Sequence, residues 1–594
     1  MFAILFLSCY FAYFLLRIEP KLIYQSQEPI FFFDRYFIGE FLKYPGGANE
    51  LVAGFLSQLF YHSWTGAVLL VLVFGCVTWH TRWLIRSLRT TQPPLYLHWI
   101  PSILLLALHS NYRFPLVLTL GLLWALLGAN LYVRFSPSSS ARRWLFYIIL
   151  QAMLYYVIAG QVFIFTMMIV LYEVLFRRRI VLSILYVIFA GLLPYVGAST
   201  VFIVHIPNAY TMHLMSYDQY KLTWLSWVLY TFFPLVLLLV AFERRYNRFG
   251  HTNPKRFWGR LFYGRSAPAR FLRGAFVLLL VIAAGLFSFN RKAKAFLLVD
   301  HHARFGKWDN ILAMAQKGLP ISNIVQCQIN RAMYHSGCLS DKLFSIAQLF
   351  GGNGLFMQDN LRATFPLQHS DVFFDLGLIN ECEHWVYEAI AVNGDTAWNL
   401  QRLGLIYLLK ENQEVAGKYL TMLKKTVWHR SWAAEYQKYL SDSHDLWAHP
   451  QVQYLRNAVP ESHFLVSPTQ PELCLEELLD RTKGKMAFEY FMAYCLLEGQ
   501  IGRFAKHLHR LNDFDYLEIP RHFEEAILVY NQIAGAKGIT LPGKNISEET
   551  TRKFEDFNRI RAKYKGNKTA ARGELVKYRD TYWFYGLYYY RPKE

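Results

Sequence analysis

Long apolar runs occupy the first half of this 594-residue chain, and clusters of arginine separate them. Up to residue 290 the chain has 24 Lys and Arg against 8 Asp and Glu, whereas the remainder has 38 against 34. A helix needs about 20 mostly apolar residues to cross the ~30 Å hydrocarbon core of a bilayer. The pattern therefore predicts an all-α fold, with a polytopic helical membrane domain over residues 1–290 and a soluble helical domain over residues 291–594.

The arginine clusters set the predicted topology, because basic connections remain on the cytoplasmic side and each apolar block between two clusters must then cross twice. With the apolar run 2–16, the run that ends near Thr78 and the run 275–289, this gives nine spans. We expect a bacterial inner-membrane protein with a cytoplasmic N-terminus and a periplasmic C-terminal domain. The clusters are Arg82, Arg86 and Arg89; Arg134, Arg142 and Arg143; Arg177, Arg178 and Arg179; and Arg244, Arg245, Lys255, Arg256, Arg260, Arg265, Arg270 and Arg273.

One of these blocks, residues 144–176, is too long for a single crossing. As one helix it would measure about 50 Å at 1.5 Å per residue, so we predict a turn near Gly160 and Gln161. Glu173 lies one turn before the basic cluster at 177–179, and we expect an ion pair there at the inner interface.

The first external segment, residues 17–50, mixes acids with aromatic residues. Asp34, Glu40 and Glu50 are the candidate catalytic residues, because a carboxylate at the outer face can act as a general base or hold a divalent cation. The alternative is an interfacial anchor whose rings lie at headgroup level and whose acids are solvated.

The C-terminal half shows helical periodicity and few strand signals. Within it, Gly404, Tyr407, Ala416 and Leu420 have the small–aromatic–small–large spacing of a tetratricopeptide repeat. In such a repeat the small residues let two antiparallel helices approach, and the larger residues fill the space between hairpins. The alternative is a generic helical bundle. The aromatic tail, residues 578–590, is expected to dock on the last repeat or on the membrane surface.

The overall layout, with Tyr44, Pro45, Gly46 and Gly47 in the external loop and Gln58 after it, resembles an uncharacterised family of multi-spanning membrane proteins from Bacteroidota. That resemblance implies no activity. In outline the membrane half also resembles the GT-C glycosyltransferases, which implies a polyprenyl-phosphate sugar donor and matches Asp34, then Glu40, to the acid of the first external loop. The sequence departs from the GT-C pattern because no paired acids stand in that loop.

The first hypothesis is a membrane protein that presents its helical repeats to a protein partner in cell-envelope assembly. A GT-C-like glycosyltransferase acting on a lipid-linked sugar is the alternative, and a transporter is a second alternative, disfavoured because no charged residue lies centrally in a span. Nucleic-acid binding is not expected, because the excess positive charge lies between apolar runs and not on a soluble domain.

No cofactor is expected either, apart from a divalent cation if the protein is a transferase. The seven cysteines form no CxxC pair. His205, His213 and Asp218 share one loop, but their spacing is irregular for a metal site.

Overall fold

The computed structural model describes residues 2–88, 97–214, 224–248, 267–441, 444–462, 464, 466–467, 469–535 and 538–590. These residues form helices and turns, and no β-strand occurs among them. One isolated bridge joins Leu541 and Lys544. The fold is therefore all-α, as the periodicity predicts.

The chain forms two compact units. Unit 1 contains Met1–Lys294 together with Lys425–Trp428, and unit 2 contains Ala295–Lys424 and His429–Glu594. The long segment of unit 1 ends at Lys294.

Unit 1 consists of helices that are mostly apolar. Their bounds are Phe2–Ala12, which continues as a π-helical turn over Tyr13–Ile18, then Pro20–Gln27, Arg35–Phe41, Gly47–Ser57, Ser63–Leu88, Ile100–His109, Leu116–Phe135, Ser140–Ile158, Val162–Tyr172, Ile180–Val196, Ile206–Thr211, Trp224–Arg248 and Ala267–Ser288. Two of them, Val162–Tyr172 and Ile180–Val196, are also extended by π-helical turns, Glu173–Arg177 and Gly197–Val201.

Six stretches of the described residues are long and apolar enough to cross a membrane, which is compatible with an integral membrane protein. The number becomes seven if the bent pair Ala3–Ile18 and Pro20–Gln27 is one span. The predicted count of nine is higher for two reasons. The helix Leu97–His109 is only about 20 Å long, and Ser140–Arg177 counts as one stretch. Arg89, Lys255, Arg256, Arg260 and Arg265 of the basic clusters lie outside the described residues.

The stretch Ser140–Arg177 nevertheless reverses direction at its centre. The Tyr147 hydroxyl donates to Oγ1 of Thr166 at 3.3 Å, whereas a straight helix would hold these residues about 28 Å apart. The reversal takes place in the 3₁₀ turn Ala159–Gln161, where Ala159 has a φ of 48°. The chain therefore turns at the place that helix length and Gly160 indicated.

Glu173 forms an ion pair, but with a different partner from the one expected. Its Oε1 lies 2.6 Å from Nη1 of Arg143, and the Tyr132 hydroxyl donates to the same oxygen at 3.0 Å. Arg177, one turn away along the chain, donates instead to the hydroxyl of Tyr172. The predicted ion pair is therefore present, and its partner is Arg143 because the hairpin brings the start of one helix beside the end of the next.

Unit 2 consists of shorter helices joined by tight turns, and consecutive helices pack as hairpins. The longer ones are Arg291–Arg304, which begins in unit 1, then Trp308–Gln316, Asn323–His335, Pro366–Asp375, Ile379–Asn393, Ala397–Leu409, Gln413–Lys424, Cys474–Arg481, Lys485–Leu497, Arg521–Ala534, Glu548–Lys563 and Lys568–Leu575. Short helices and 3₁₀ turns connect them, and Tyr582–Tyr588 is the last helix.

The aromatic tail docks inside unit 2. The backbone N–H of Tyr582 donates to Oε2 of Glu525 at 2.7 Å, and the Tyr585 hydroxyl donates to the carbonyl of Leu497 at 2.9 Å. Trp583 and Phe584 are buried in a cluster with Phe554 and other apolar residues. The tail therefore packs against other helices of unit 2. Docking on a last repeat or on the membrane surface stays a prediction.

Candidate functional site

Asp34 caps a helix of unit 1. One of its carboxylate oxygens accepts from the N–H groups of Tyr36 and Phe37, at 2.8 and 3.3 Å, at the start of Arg35–Phe41. The other lies 2.5 Å from Nζ of Lys425. The hydrogen bond from Lys425 and those from the two backbone N–H groups hold the pKa of Asp34 below its usual value. A carboxylate with this many donors is a weak proton acceptor and a good helix cap.

Glu40 lies on the same short helix and forms an ion pair with Lys43, three residues further on. Both side chains are largely exposed, and the hydrogen bond from Lys43 lowers the pKa of Glu40. Among the described residues, no other helix supplies Glu40 with a hydrogen-bonding partner, so its surroundings there are those of a surface ion pair.

Glu50 is the one of the three acids that lies beside a buried histidine. Its Oε2 accepts from the Tyr44 hydroxyl at 2.9 Å and lies 3.4 Å from Nε2 of His213. Burial raises the pKa of Glu50, but the hydrogen bond and charge of His213, with the Tyr44 hydroxyl, outweigh it, so the pKa lies below its usual value. An acid paired with a histidine can orient that histidine and share a proton with it.

A glycine turn fits closely around His213. Gly46 has a φ of 88°, and a Cβ placed on it would lie 2.7 Å from Nδ1 of His213 and 2.9 Å from Cβ of Ala159. The N–H of Gly46 donates to the carbonyl of Tyr156 at 2.8 Å. The Pro-Gly-Gly turn, the 159–161 turn and the loop that carries His213 therefore meet at one place. Among the described residues Nδ1 of His213 has no hydrogen-bond partner.

The described residues contain no group of three or more His, Cys, Asp or Glu side chains arranged to hold a metal ion. Glu50 and His213 offer two ligands, fewer than a structural or catalytic metal site needs. His205 takes no part in this pair, and Asp218 lies outside the described residues.

A cavity of about 920 Å³ lies elsewhere in unit 1. The helices Ile100–His109, Trp224–Arg248 and Ala267–Ser288 supply its walls, together with the turn after His109. Asp34, Glu40 and Glu50 are not among the residues that line it.

In unit 2, the four repeat-packing residues belong to one hairpin, Ala397–Leu409 and Gln413–Lys424. A Cβ on Gly404 would lie 3.5 Å from Cδ2 of Leu420, so the two helices are close at this point. Gly404, Ala416 and Leu420 are buried. Tyr407 is different, because it is half-exposed and lies at the edge of the hairpin.

Tyr407 belongs to a cluster that we call the tyrosine patch: Tyr387, Tyr407 and Tyr419. The Tyr387 hydroxyl lies 3.0 Å from that of Tyr407 and 3.1 Å from that of Tyr419. The rings of Tyr407 and Tyr419 stack, with centroids 5.8 Å apart. Burial and a hydrogen bond to Glu383 raise the pKa of Tyr407. The patch joins two successive hairpins, since Tyr387 belongs to Ile379–Asn393.

Sequence reasoning identified Tyr407 but missed its two neighbours. Tyr419 follows Tyr407 by twelve residues, which is the interval that separates Gly404 from Ala416, so the repeat spacing carried a signal for it. Tyr387 belongs to the preceding hairpin, which showed no repeat spacing, and only the fold brings it near.

A buried ionic network was also missed. Asp375 lies 2.8 Å from Nε of Arg331 and 3.0 Å from Nε2 of His335, and its other oxygen accepts from the Tyr454 hydroxyl at 2.9 Å. Burial raises the pKa of Asp375, but Arg331 and His335 outweigh it and hold that pKa far below its usual value. Asp371 joins Arg331 to Arg402 in the same network. These charges link the helices Asn323–His335, Pro366–Asp375 and Ala397–Leu409.

The segment Asp395-Thr396-Ala397 resembles the short O-glycosylation sequon of Bacteroidota. The Thr396 hydroxyl, however, accepts from the N–H of Asn399 at 3.3 Å as the cap of a helix, and the residue is buried. Glycosylation of this hydroxyl would require the start of the helix to open.

One family model matches residues 1–589, and its description reads "Family of unknown function". No curated protein and no solved structure matches the chain. The family model thus spans the apolar first half and nearly all of the C-terminal half.

Proposed function

This chain belongs to the Family of unknown function (DUF6057), and from that premise we propose that it is an inner-membrane protein whose helical repeats hold a protein partner in the periplasm during cell-envelope assembly. Unit 1 serves as the anchor, and the tetratricopeptide-like hairpins of unit 2 serve as the binding module. A lipid bilayer and one protein are thus the proposed partners, and no cofactor takes part.

The tyrosine patch is the observation that carries this proposal. Tyrosine is enriched in protein interfaces because its ring adds apolar contact area and its hydroxyl adds a hydrogen bond at little conformational cost. Tyr387 is 42 % exposed, although the hydroxyls of the patch already bond to one another. Three rings on two successive hairpins form a continuous surface, which is how helical repeats usually present a binding site.

The topology proposal retains nine crossings. The six apolar stretches supply seven crossings if the two arms of Ser140–Arg177 are counted separately, and Ala3–Ile18 and the short Leu97–His109 complete the nine. With the arginine clusters on the cytoplasmic side, an odd number of crossings leads unit 2 to the periplasm.

Substitution of the patch tests the proposal. Tyr387→Ala combined with Tyr419→Ala should reduce the amount of the co-purified partner by tenfold or more, because interface tyrosines contribute about 2 kcal/mol each. The matched control is Glu414→Ala with Lys418→Ala, which removes an exposed ion pair from the same hairpin. Equal recovery of the same proteins with both double variants, at equal membrane levels, would refute the proposal.

A GT-C-like glycosyltransferase is the second candidate. In such an enzyme, the pairing of Glu50 with His213 favours Glu50 over Asp34 and Glu40 as the functional acid. A buried histidine held by a carboxylate can take a proton from a sugar acceptor while Glu50 orients it, whereas Asp34 is occupied as a helix cap. Under this alternative Glu50→Gln abolishes an envelope glycan at normal protein level, and Glu40→Gln retains it. An unchanged glycan profile in Glu50→Gln would remove the candidate.

A further inference from the structure

The cavity of unit 1 is lined mostly by apolar residues. Its apolar lining residues include Ile100, Ile103, Leu104, Ala107, Leu280 and Ala283. Two large apolar residues that also line it are mostly exposed, Trp224 at 74 % and Phe287 at 92 %. Apolar surface of this kind is stable in a protein only where lipid or a ligand covers it. In an integral membrane protein the cover is provided by the bilayer.

The length of the cavity corresponds to one leaflet. Along Ala267–Ser288 its lining runs from Leu280 to Ser288, about 12 Å, and from Ile100 to Asn111 it runs about 16 Å. Half of a ~30 Å hydrocarbon core is about 15 Å. The volume of about 920 Å³ lies within the range of pockets that hold small organic ligands. One acyl chain of a lipid fits these dimensions.

All the polar lining residues lie at the same end of the cavity. They are Asn111, Arg113, Ser226 and Ser288, at the end of the cavity where the turn between Ile100–His109 and Leu116–Phe135 lies. In the proposed topology this is the periplasmic end. Arg113 is the one charged side chain among the described residues that line the cavity.

The turn that carries Arg113 is held firmly. Nε2 of Gln27 donates to the carbonyls of Tyr112 and Phe114, at 2.9 and 3.0 Å, on either side of Arg113. The N–H of Arg113 donates to Oδ1 of Asn111 at 3.1 Å. The guanidinium itself is exposed and has no ion-pair partner in the part of the chain that the structure describes.

We propose that this cavity binds one phospholipid with an anionic headgroup, its acyl chain lying along Ile100–His109 and its phosphate contacting Arg113. Charge complementarity favours this occupant. A guanidinium pairs with a phosphate in two hydrogen bonds, and an anionic headgroup adds no cation that would compete for that phosphate or repel Arg113, as choline does. The inference depends on the membrane location of unit 1 and is independent of partner binding by unit 2.

Native mass spectrometry of the full-length, delipidated protein tests the inference. Phosphatidylglycerol and phosphatidylcholine are added in equal amounts, and the ratio of their bound forms is measured. The wild type should prefer phosphatidylglycerol, and Arg113→Gln should reduce that preference about tenfold, because a charge-assisted contact is lost. Arg113→Lys should keep part of it.

Two further variants separate this site from general lipid contact. Arg142→Gln, which removes an exposed arginine that does not line the cavity, should leave the ratio unchanged. Ala283→Trp fills the cavity and should reduce binding of both lipids. The proposal would be overturned if Arg142→Gln reduced the preference for phosphatidylglycerol as much as Arg113→Gln does. Normal lipid binding by Ala283→Trp would overturn it as well. A purified protein that retains a polyprenyl phosphate in this cavity, and no phospholipid, would also overturn it.

Discussion

The guanidinium of Arg143 and the carboxylate of Glu173 lie 2.6 Å apart, with both side chains almost fully buried. The two residues are 30 positions apart in the sequence and meet because the chain reverses in the turn Ala159–Gln161. The pair thus joins the start of one hairpin arm to the end of the other. A buried charge without its partner is costly, so the pair should fix this hairpin.

We expect Arg143→Met to lower the free energy of unfolding by about 3–5 kcal/mol, because Glu173 is left buried and unpaired. The double variant Arg143→Met with Glu173→Met should recover most of that loss. Thermal unfolding of the detergent-solubilised protein measures both. The neighbouring Arg142→Met, at an exposed position, should change stability by less than about 0.5 kcal/mol. If Arg143→Met behaved like Arg142→Met, the pair would have no structural role.

Gly46 offers a test of the turn around His213. Gly46→Ala should lower stability by about 1–3 kcal/mol, because a φ of 88° disfavours alanine and the new Cβ would overlap His213. Gly39→Ala is the control, since nothing lies within 4 Å of a Cβ at that position. Adding His213→Ala to Gly46→Ala should restore only part of the loss, because the backbone strain remains. Equal melting temperatures for the two glycine variants would show that the turn is not strained.

Two glycines of unit 2 should respond in opposite ways to alanine. Gly404→Ala should stabilise the helix Ala397–Leu409 by up to about 1 kcal/mol, since its Cβ would make ordinary contact with Leu420 at 3.5 Å. Gly377→Ala should destabilise unit 2, because Gly377 has a φ of 80° and the added Cβ would lie 2.5 Å from the carbonyl of Ala458. Hydrogen exchange of the full-length protein reports both. Faster hydrogen exchange in Gly404→Ala would mean that the two helices of this hairpin are too close to accept the added Cβ.

The ionic network of unit 2 predicts a pH dependence. The pKa of Asp375 in the folded protein lies below its unfolded value of about 3.9, so its contribution to stability is complete above about pH 5 and is lost as the pH falls toward the folded pKa. Asp375→Asn should therefore cost about 3–5 kcal/mol at neutral pH and less near pH 3.

Hydrogen exchange of Asn323–His335 is measured between about pH 7 and pH 3 and corrected for the intrinsic exchange rate. It gives the difference in local stability between the wild type and Asp375→Asn at each pH. Asp480→Asn, at an exposed position, should show no such trend. A difference that stays constant with pH would contradict the assignment of the low pKa to Asp375.

Some of this architecture follows directly from sequence patterns. Apolar run length and helical period indicate helices almost everywhere, and the excessive length of 144–176 indicates a turn that the Tyr147–Thr166 contact places at Ala159–Gln161. These are local properties, which a single segment carries by itself.

Other features are not local, and no pattern in the sequence reveals them. Glu50 and His213 are 163 positions apart, and their contact depends on three loops meeting. Glu173 was assigned to the nearest arginines along the chain, whereas the fold supplies Arg143. The predicted number of spans also differs from the number of helices long enough to cross. A short helix such as Leu97–His109 depends on its neighbours for any placement in the bilayer.

Photocrosslinking in living cells tests the central claim most directly. A benzophenone side chain in place of Tyr387 should yield one discrete crosslinked product with a periplasmic protein, because the patch is proposed to contact the partner. The same group in place of Lys418, exposed on the same hairpin, should yield none. Absence of a product at position 387, or the same products at both positions, would contradict the account.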